Sequence, residues 1–542
     1  MKEMKKSTYP MYGNREEVCS IRDAFDRAIK KYPHNICCRY IQKDEVISKS
    51  YIDVFYDISH IGSYLVKKCG YSDKKVAFVS ETTYRWYVTY LAALYYGVVA
   101  VPLDRLLNEK DLTAQIEFAD VSVVFYDSKQ STKMKIIKEK CKSIELISLE
   151  QKEEFSLCYD DIINLSTEKE KLHDIGPDDL AEIVFTSGTT GTSKGVMISQ
   201  YNIASVLMFC TNLFDFNEET RIISFLPNNH LYFLSTGLIM NTYYGCTVCL
   251  NENILNFKHD MKMFQPDFVL SVPALFHLLK RDILSSVKQE GIEILKNGDS
   301  EESKLMKEKI RQSLGGKLEI VACGGAFLDQ ETVEFFRLFD IELVEGYGIS
   351  ECSPLISCSV HRRIDRNKKE TVGLVGTCCD VKIVDGEVYV SGANVMLGYY
   401  KNPELTAQVM DGEWFKTGDL GYMDEDGYLY LTGRKKNLII LSNGENVCPE
   451  EVENYLYCID EVDNAIVYDE KEMIVAEIYP NKRLLEEAKI EDAYTFFKQK
   501  VNEINKRIPS YKQIRKIVLR DTPFELTSTM KVKRQGLTMI GG

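Results

Sequence analysis

The chain has 542 residues, 45% hydrophobic and 27% charged, an ordinary globular composition that excludes disordered, collagen-like and coiled-coil proteins and is too long for one core. Its 67 Lys+Arg against 81 Asp+Glu give a formal charge of -14, so the concentrated basic surface that binds nucleic acid is not expected. Sixteen cysteines are scattered, and the doublets Cys37-Cys38 and Cys378-Cys379 make no zinc pattern, so free thiols in a reducing compartment fit best.

The opening MKEMKKSTYP has a basic flank but no apolar stretch of a signal peptide behind it. Residues 20–33 (SIRDAFDRAIKKYP) read as an amphipathic helix, KKVAFVSE as a buried strand and WYVTYLAALYYG as a helix. The apolar run Tyr87 to Leu103 approaches the roughly 20 residues of a bilayer helix, but Gly97 and Pro102 break it. No integral membrane segment is therefore expected; the location expected is cytoplasmic, with peripheral membrane association left open. VVAVPLD, VSVVFYD, DFVLSVP, KLEIVACGG and IELVEGYG read as further apolar strands between helices, the pattern of α/β layers with mostly parallel sheets. Residues 287–314 read as a charged surface helix. From about Asp380 the texture changes to short strands with hairpin turns at DGEV and EDGY, a β-rich subdomain. A small α+β unit follows Lys436, so the expected division is 1–435 and 436–542.

The segment Thr186-Ser-Gly-Thr-Thr-Gly-Thr-Ser-Lys-Gly195 follows the apolar run EIVF and packs six hydroxyl residues and three glycines into ten positions. Glycines let backbone N–H groups approach an anion and hydroxyls donate further hydrogen bonds, which suits phosphate oxygens; an exposed polar turn is the plain alternative. It is not a Walker A loop. Counting from Gly188, the second required glycine falls on Ser193, and Lys194 is followed by Gly195.

Together with this loop, LPNNHLY (226–232), CGGAFLD (323–329), EGYGISE (345–351), WFKTGDLGYMDEDGYLYLTGRKKN, LSNGENVCPEEVE and TSTMKVKR (527–534) occur in an order that resembles the adenylate-forming superfamily. The likeness covers nearly the whole chain and is nearest to the long-chain fatty acyl-CoA synthetases. Ser193 stands where Pro is usual, Ser350 where Thr is usual, and Phe233 replaces a Glu. The resemblance implies that Thr186, Ser187, Gly188, Thr189, Thr190, Gly191 and Lys194 hold the ATP phosphates. It implies that Gly324, Gly325 and Ala326, with Glu345, Gly346, Tyr347 and Gly348, form the adenine site. Small residues let a flat base lie on backbone, or simply make a tight strand-helix turn; Tyr347 either stacks on the base or belongs to the core.

Asp419 is implied to accept hydrogen bonds from the ribose hydroxyls, and Arg434 to donate its fork of N–H groups to ribose and α-phosphate oxygens. Their plain alternatives are a turn aspartate and an exposed ion pair. Glu351 is implied as the Mg²⁺ ligand, since that ion is commonly held by few carboxylates plus phosphate and water. Ser350 can donate to the α-phosphate. His230 would orient the carboxylate, or else face the core. Lys531 would bridge the attacking carboxylate and the α-phosphate as pyrophosphate leaves, in a transition state whose charge is spread over the transferring group.

The reaction implied is RCOO⁻ + MgATP → acyl-AMP + PPi, followed by acyl-AMP + CoA-SH → acyl-CoA + AMP. The small domain of such enzymes is mobile, rotating about a hinge that falls at Lys436. Rotation would withdraw Lys531 and bring Gly444 to the pantetheine tunnel; Gly444 also fits the left-handed position of an Asn-Gly turn. Residues 231–245 contain no acid, so an amino acid's ammonium would lack a partner, whereas an apolar acyl chain would be matched. The expected substrates are a fatty acid, ATP and CoA. With Gly542 close behind the lysine motif, no fused carrier is expected, and a separate acyl carrier protein is the alternative acceptor. A luciferase-type oxygenase and a non-catalytic nucleotide sensor are more distant rivals.

Overall fold

The computed structural model describes residues 15–534 apart from 72–73, 166–171, 187–192, 297, 299, 361–367, 442–444, 472 and 527–531. Among these residues the strands form two large sheets and a smaller antiparallel one in the first 434 residues. One sheet has nine strands. Its parallel centre runs through Glu342–Tyr347, Ile320–Gly324, Phe268–Ser271, Arg221–Ser224, Thr247–Cys249 and Ile36–Gln42. The second has eight strands, centred on Leu180–Thr186, Val99–Pro102, Lys75–Val79, Val121–Tyr126 and Glu145–Ser148, also parallel.

These strands are continuous apolar runs because both faces of each sheet are covered. Alternate residues explain how. Val76 and Phe78 of one sheet and Leu270, Ala322 and Val344 of the other point into a shared core. Helices Tyr51–Cys69, Tyr84–Tyr96 and Gln200–Leu213 fill that core. Their neighbours Ala77 and Val79, and Val269, Val321 and Leu343, point outward onto separate helical layers. The expected α/β layering is therefore what forms.

The helix Tyr84–Tyr96 is buried over nearly its whole length, which is why its sequence approached membrane-spanning character. It is capped by Thr83 and ends on Gly97 at φ +75°. No helix among the described residues is long and apolar enough to cross a membrane. A correction falls at 287–314: the charged stretch is two packed helices, Pro273–Lys296 and Glu301–Ser313, with Gly298 at φ +51° between them. The first buries Phe276, Leu279, Ile283 and Leu295, so only the second fits a solvated surface element. A Cys-x-x-Cys spacing occurs at Cys246 and Cys249, but both thiols are buried, and burial pushes that of Cys249 up to about 12.

The β-rich subdomain pairs Cys379–Val384, Glu387–Gly392, Trp414–Met423, Met410–Asp411 and Leu429–Arg434 antiparallel. The DGEV turn has Asp385 and Gly386 both left-handed, at φ +50° and +81°, as a two-residue hairpin turn requires. Beyond Arg434, strands Val462–Glu470, Met473–Pro480 and Lys516–Leu519 pack with helices Pro449–Tyr457 and Ala493–Asn505 around a separate core. Arg281 of the large body donates to the Asp460 carbonyl at 3.0 Å and lies 3.7 Å from Asp463.

Candidate active site

Antiparallel pairing sets Thr186 opposite Lys194, the residues where the two strands flanking the Gly/Ser/Thr-rich segment end and begin. Ser187, Gly188, Thr189, Thr190 and Gly191 lie outside the described residues, as do Gly444 and Lys531. Next to Lys194 in sequence, Ser193 Oγ accepts a hydrogen bond from Gln115 at 3.2 Å. The Lys194 ammonium sits 5.1 Å from the centroid of the Tyr399 ring, a cation–π distance. The Tyr399 hydroxyl donates to Glu351 Oε1 at 2.8 Å. Burial first, then Glu351, raises the Tyr399 pKa, which keeps that proton in place. Tyr399 thus ties Lys194 to Glu351, the carboxylate expected to hold Mg²⁺. Sequence reasoning passed over it, because a tyrosine in a two-residue strand carries no spacing signal.

Asp419 and Arg434 come together because they are register partners in adjacent strands. Arg434 Nε lies 2.9 Å from Asp419 Oδ1, and the Tyr347 hydroxyl donates to Oδ2 at 2.8 Å. Asp419 is only 4% exposed, whereas the Arg434 side chain is 43% exposed and keeps its remaining donors accessible. Each carboxylate oxygen has a second acceptor site for a ligand hydroxyl. The Tyr347 ring belongs to the core and its hydroxyl serves Asp419; burial raises its pKa far above the ordinary tyrosine range. A third cation joins this pair. Partial burial first, then Arg434 and more weakly Lys194, push Lys436 below the ordinary lysine range, while Asp419 and Glu450 oppose the shift. Lys194, Arg434 and Lys436 therefore converge on one region, a natural receptor for a polyanion.

Gly324 pairs with Gly346 at the carboxyl ends of parallel strands, the edge where α/β sheets bind ligands. A Cβ on Gly324 would lie 3.0 Å from the Tyr232 ring, and one on Gly348 would lie 1.7 Å from the Pro354 carbonyl oxygen. Packing against backbone therefore requires glycine at 348, whereas at 324 a side chain would have to press the Tyr232 ring aside. Gly325, at φ +80°, and Ala326 are exposed just past the strand end and present backbone to solvent. Glu345 sits in the same strand; burial pushes its carboxyl up to about 8. Ser350 opens a single turn, Ser350–Cys352, that carries Glu351.

His230 stands at the head of the π-helix Tyr232–Leu238, its carbonyl accepting the N–H groups of Phe233 and Leu234. Asn228 fixes this approach by donating to the Ser80 carbonyl at 2.9 Å. Phe233, where the resemblance expected Glu, is buried 6.0 Å from the Trp86 ring, a setting in which a carboxylate would be costly. Against this helix lies an apolar slot whose lining includes Cys210, Phe214, Tyr232, Met240, Ala322 and Gly346.

A carboxylate suited to Mg²⁺ is present in Glu351: Oε1 is engaged by Tyr399 and Oε2 has no protein partner among the described residues. No cluster of three or more His, Cys, Asp or Glu among those residues could hold a metal alone. That donor set fits an ion completed by phosphate and water.

Residues 25–400 match the model of the AMP-binding enzyme family, and residues 436–539 that of the AMP-binding enzyme C-terminal domain. The chain belongs to the AMP-binding enzyme family. Long-chain-fatty-acid--CoA ligase 5 of Rattus norvegicus is 28% identical over 609 residues, covering 95% of this chain and 86% of the relative. Long-chain-fatty-acid--CoA ligase 1 of Saccharomyces cerevisiae is 28% identical, covering 86% of this chain and 76% of the relative. Among solved structures, the anthranilate CoA ligase AuaEII in complex with anthranoyl-AMP superposes with a TM-score of 0.79 at 17% identity, covering 95% of each chain. As an AMP-binding enzyme, the chain has the adenylate-forming fold that its motifs led us to expect.

Proposed function

We propose that this AMP-binding enzyme activates a fatty acid with ATP and passes the acyl group to CoA. The observation that carries the reading is an apolar slot whose wall holds no charged side chain and includes Gly346, next to the Tyr347 that bonds Asp419. Such a wall accepts an acyl chain and leaves an ammonium or a second carboxylate without a partner. Relatives named as long-chain-fatty-acid ligases support the same substrate class.

In this reading Asp419 accepts from the ribose hydroxyls, and the exposed donors of Arg434 meet ribose and α-phosphate oxygens. Lys194 and Lys436 neutralise the polyphosphate. A fatty carboxylate oxygen attacks the α-phosphorus, the P–O bond to the β-phosphate breaks, and pyrophosphate leaves with its electron pair. His230 and Ser350 orient the carboxylate and α-phosphate, and Lys531 bridges them. Mg²⁺ bound at Glu351 supplies charge neutralisation of the phosphates. In the second step the CoA thiolate attacks the acyl carbonyl carbon and AMP leaves, its phosphate keeping the carboxylate oxygen. Division at 435/436, with Lys436 as hinge, lets residues 436–542 present Lys531 for the first step and Gly444 for the second.

The test is ATP-dependent pyrophosphate release with laurate, palmitate and benzoate, each with and without CoA. Sustained release with a fatty acid only when CoA is present is the expected result. A single burst that CoA does not change would move the acceptor to a carrier protein. No release with either fatty acid would overturn the reading.

A further inference from the structure

The apolar slot has a floor. Phe214 and Phe268 line its inner end and meet edge to face at 5.0 Å. Phe216 stacks on Phe214 at 5.3 Å and meets Phe268 at 5.0 Å, and Tyr244 closes on Phe216 at 5.3 Å. The Tyr244 hydroxyl donates to the Phe214 carbonyl at 2.8 Å, locking the plug to the backbone. Phe214, Phe268 and Tyr244 are buried, and Phe216 is half-buried.

Strand register gives the depth. Phe268 is level with Ile320, Leu270 with Ala322, Ala322 with Val344, and Gly324 with Gly346. From Phe268 to Gly346, the lining residue next to Tyr347 and so to Asp419, is thus four residue steps, about 13 Å at about 3.3 Å per residue. An extended chain of about ten carbons, with C–C bonds of about 1.5 Å, fills that length. In this structure the slot is almost closed, with about 20 Å³ of free volume, so its walls must part to admit a chain. Its walls include the unbranched side chain of Met240 and the π-helix residues Tyr232 and Thr236, elements that readjust around a guest.

We propose that the Phe214–Phe216–Phe268–Tyr244 plug is the chain-length determinant, stopping the acyl chain at about ten carbons. This rests on the fatty-acid reading above. A chain longer than the slot must displace stacked rings, whereas a shorter one leaves apolar wall uncovered. One methylene in an apolar pocket is worth about tenfold or more in discrimination.

The test is kcat/KM for the series hexanoate, decanoate, palmitate and stearate with the full-length enzyme and the variants Phe214→Leu and Phe216→Ala. Decanoate is expected to be preferred over palmitate by the unaltered enzyme. Either variant is expected to raise the palmitate-to-decanoate ratio by about tenfold. Phe216→Ala removes only a half-buried ring and keeps the test open if Phe214→Leu folds poorly. Ala322→Val, which narrows the slot at mid-depth, is expected to move preference toward hexanoate. Turnover of fatty acids with the same ratio in all forms, or a preference for stearate in the unaltered enzyme, would overturn the plug while leaving the fatty-acid reading intact. Absence of turnover with every fatty acid would overturn both.

Discussion

Asp419 is held from two sides, by Arg434 at 2.9 Å on one carboxylate oxygen and by the Tyr347 hydroxyl at 2.8 Å on the other. The pair Asp419 and Arg434 owes its distance to strand register, so the backbone presets the geometry before any ligand arrives. Two bound partners fix the carboxylate rotamer and orient its remaining lone pairs, which reduces the ordering cost of binding.

The Tyr347 contact can be removed without touching the backbone. A hydrogen bond to a buried charge contributes about 1.5–3 kcal/mol. Tyr347→Phe is expected to raise KM for ATP about tenfold with a smaller change in kcat, because the loss falls on positioning of the nucleotide. Steady-state kinetics at saturating fatty acid and CoA checks this; an unchanged KM would leave Tyr347 as core alone.

Lys436 loses its proton at lower pH than an ordinary lysine, since burial and the neighbouring Arg434 disfavour its charge. ATP affinity should therefore weaken on the alkaline side as this cation disappears. Lys436→Met is expected to bind ATP more weakly at neutral pH and to lack that alkaline limb. The pH profile of KM for ATP measures both effects.

Glu182 gives a prediction about stability. It is 0% exposed beside the Tyr90 hydroxyl, which donates to it at 3.1 Å, and its other oxygen has no partner among the described residues. Burial raises its carboxyl from 4.5 to about 8. The folded state thus holds a proton that the unfolded state releases, and stability falls as pH rises from 4.5 to about 8. Glu182→Gln is expected to flatten that decline and to stabilise the protein at pH 8 by a few kcal/mol (~2–4) relative to pH 5. Thermal melts of both forms across this window decide it.

The two steps assign opposite tasks to two residues of the small domain. Lys531→Ala is expected to abolish acyl-AMP formation while sparing thioester formation from supplied acyl-AMP. Gly444→Trp is expected to do the reverse. Separate assays of the half-reactions check this, and equal losses in both would contradict the alternation.

The layering and most strand positions were legible because buried parallel strands write themselves as continuous apolar runs, as in KKVAFVSE and IELVEGYG. Asp419 and Arg434 were legible as motif residues, but their pairing depends on hairpin register that composition does not reveal. Tyr399 and Asn228 escaped notice because their partners, Glu351 and Ser80, lie far away in sequence. The aromatic plug was hidden for the same reason: Phe214, Phe216, Tyr244 and Phe268 come from different elements and meet only in the fold. The 287–314 segment misled because its charge describes the second helix, while the first turns Leu279 and Leu295 inward.

The central claim is that a carboxylate oxygen attacks the α-phosphorus of ATP. Turnover of a fatty acid labelled with ¹⁸O in its carboxylate, with CoA present, tests it directly. The account requires AMP to emerge carrying one ¹⁸O atom and pyrophosphate to carry none. Label in orthophosphate or pyrophosphate, with unlabelled AMP or ADP, would mean attack at another phosphorus and would contradict it.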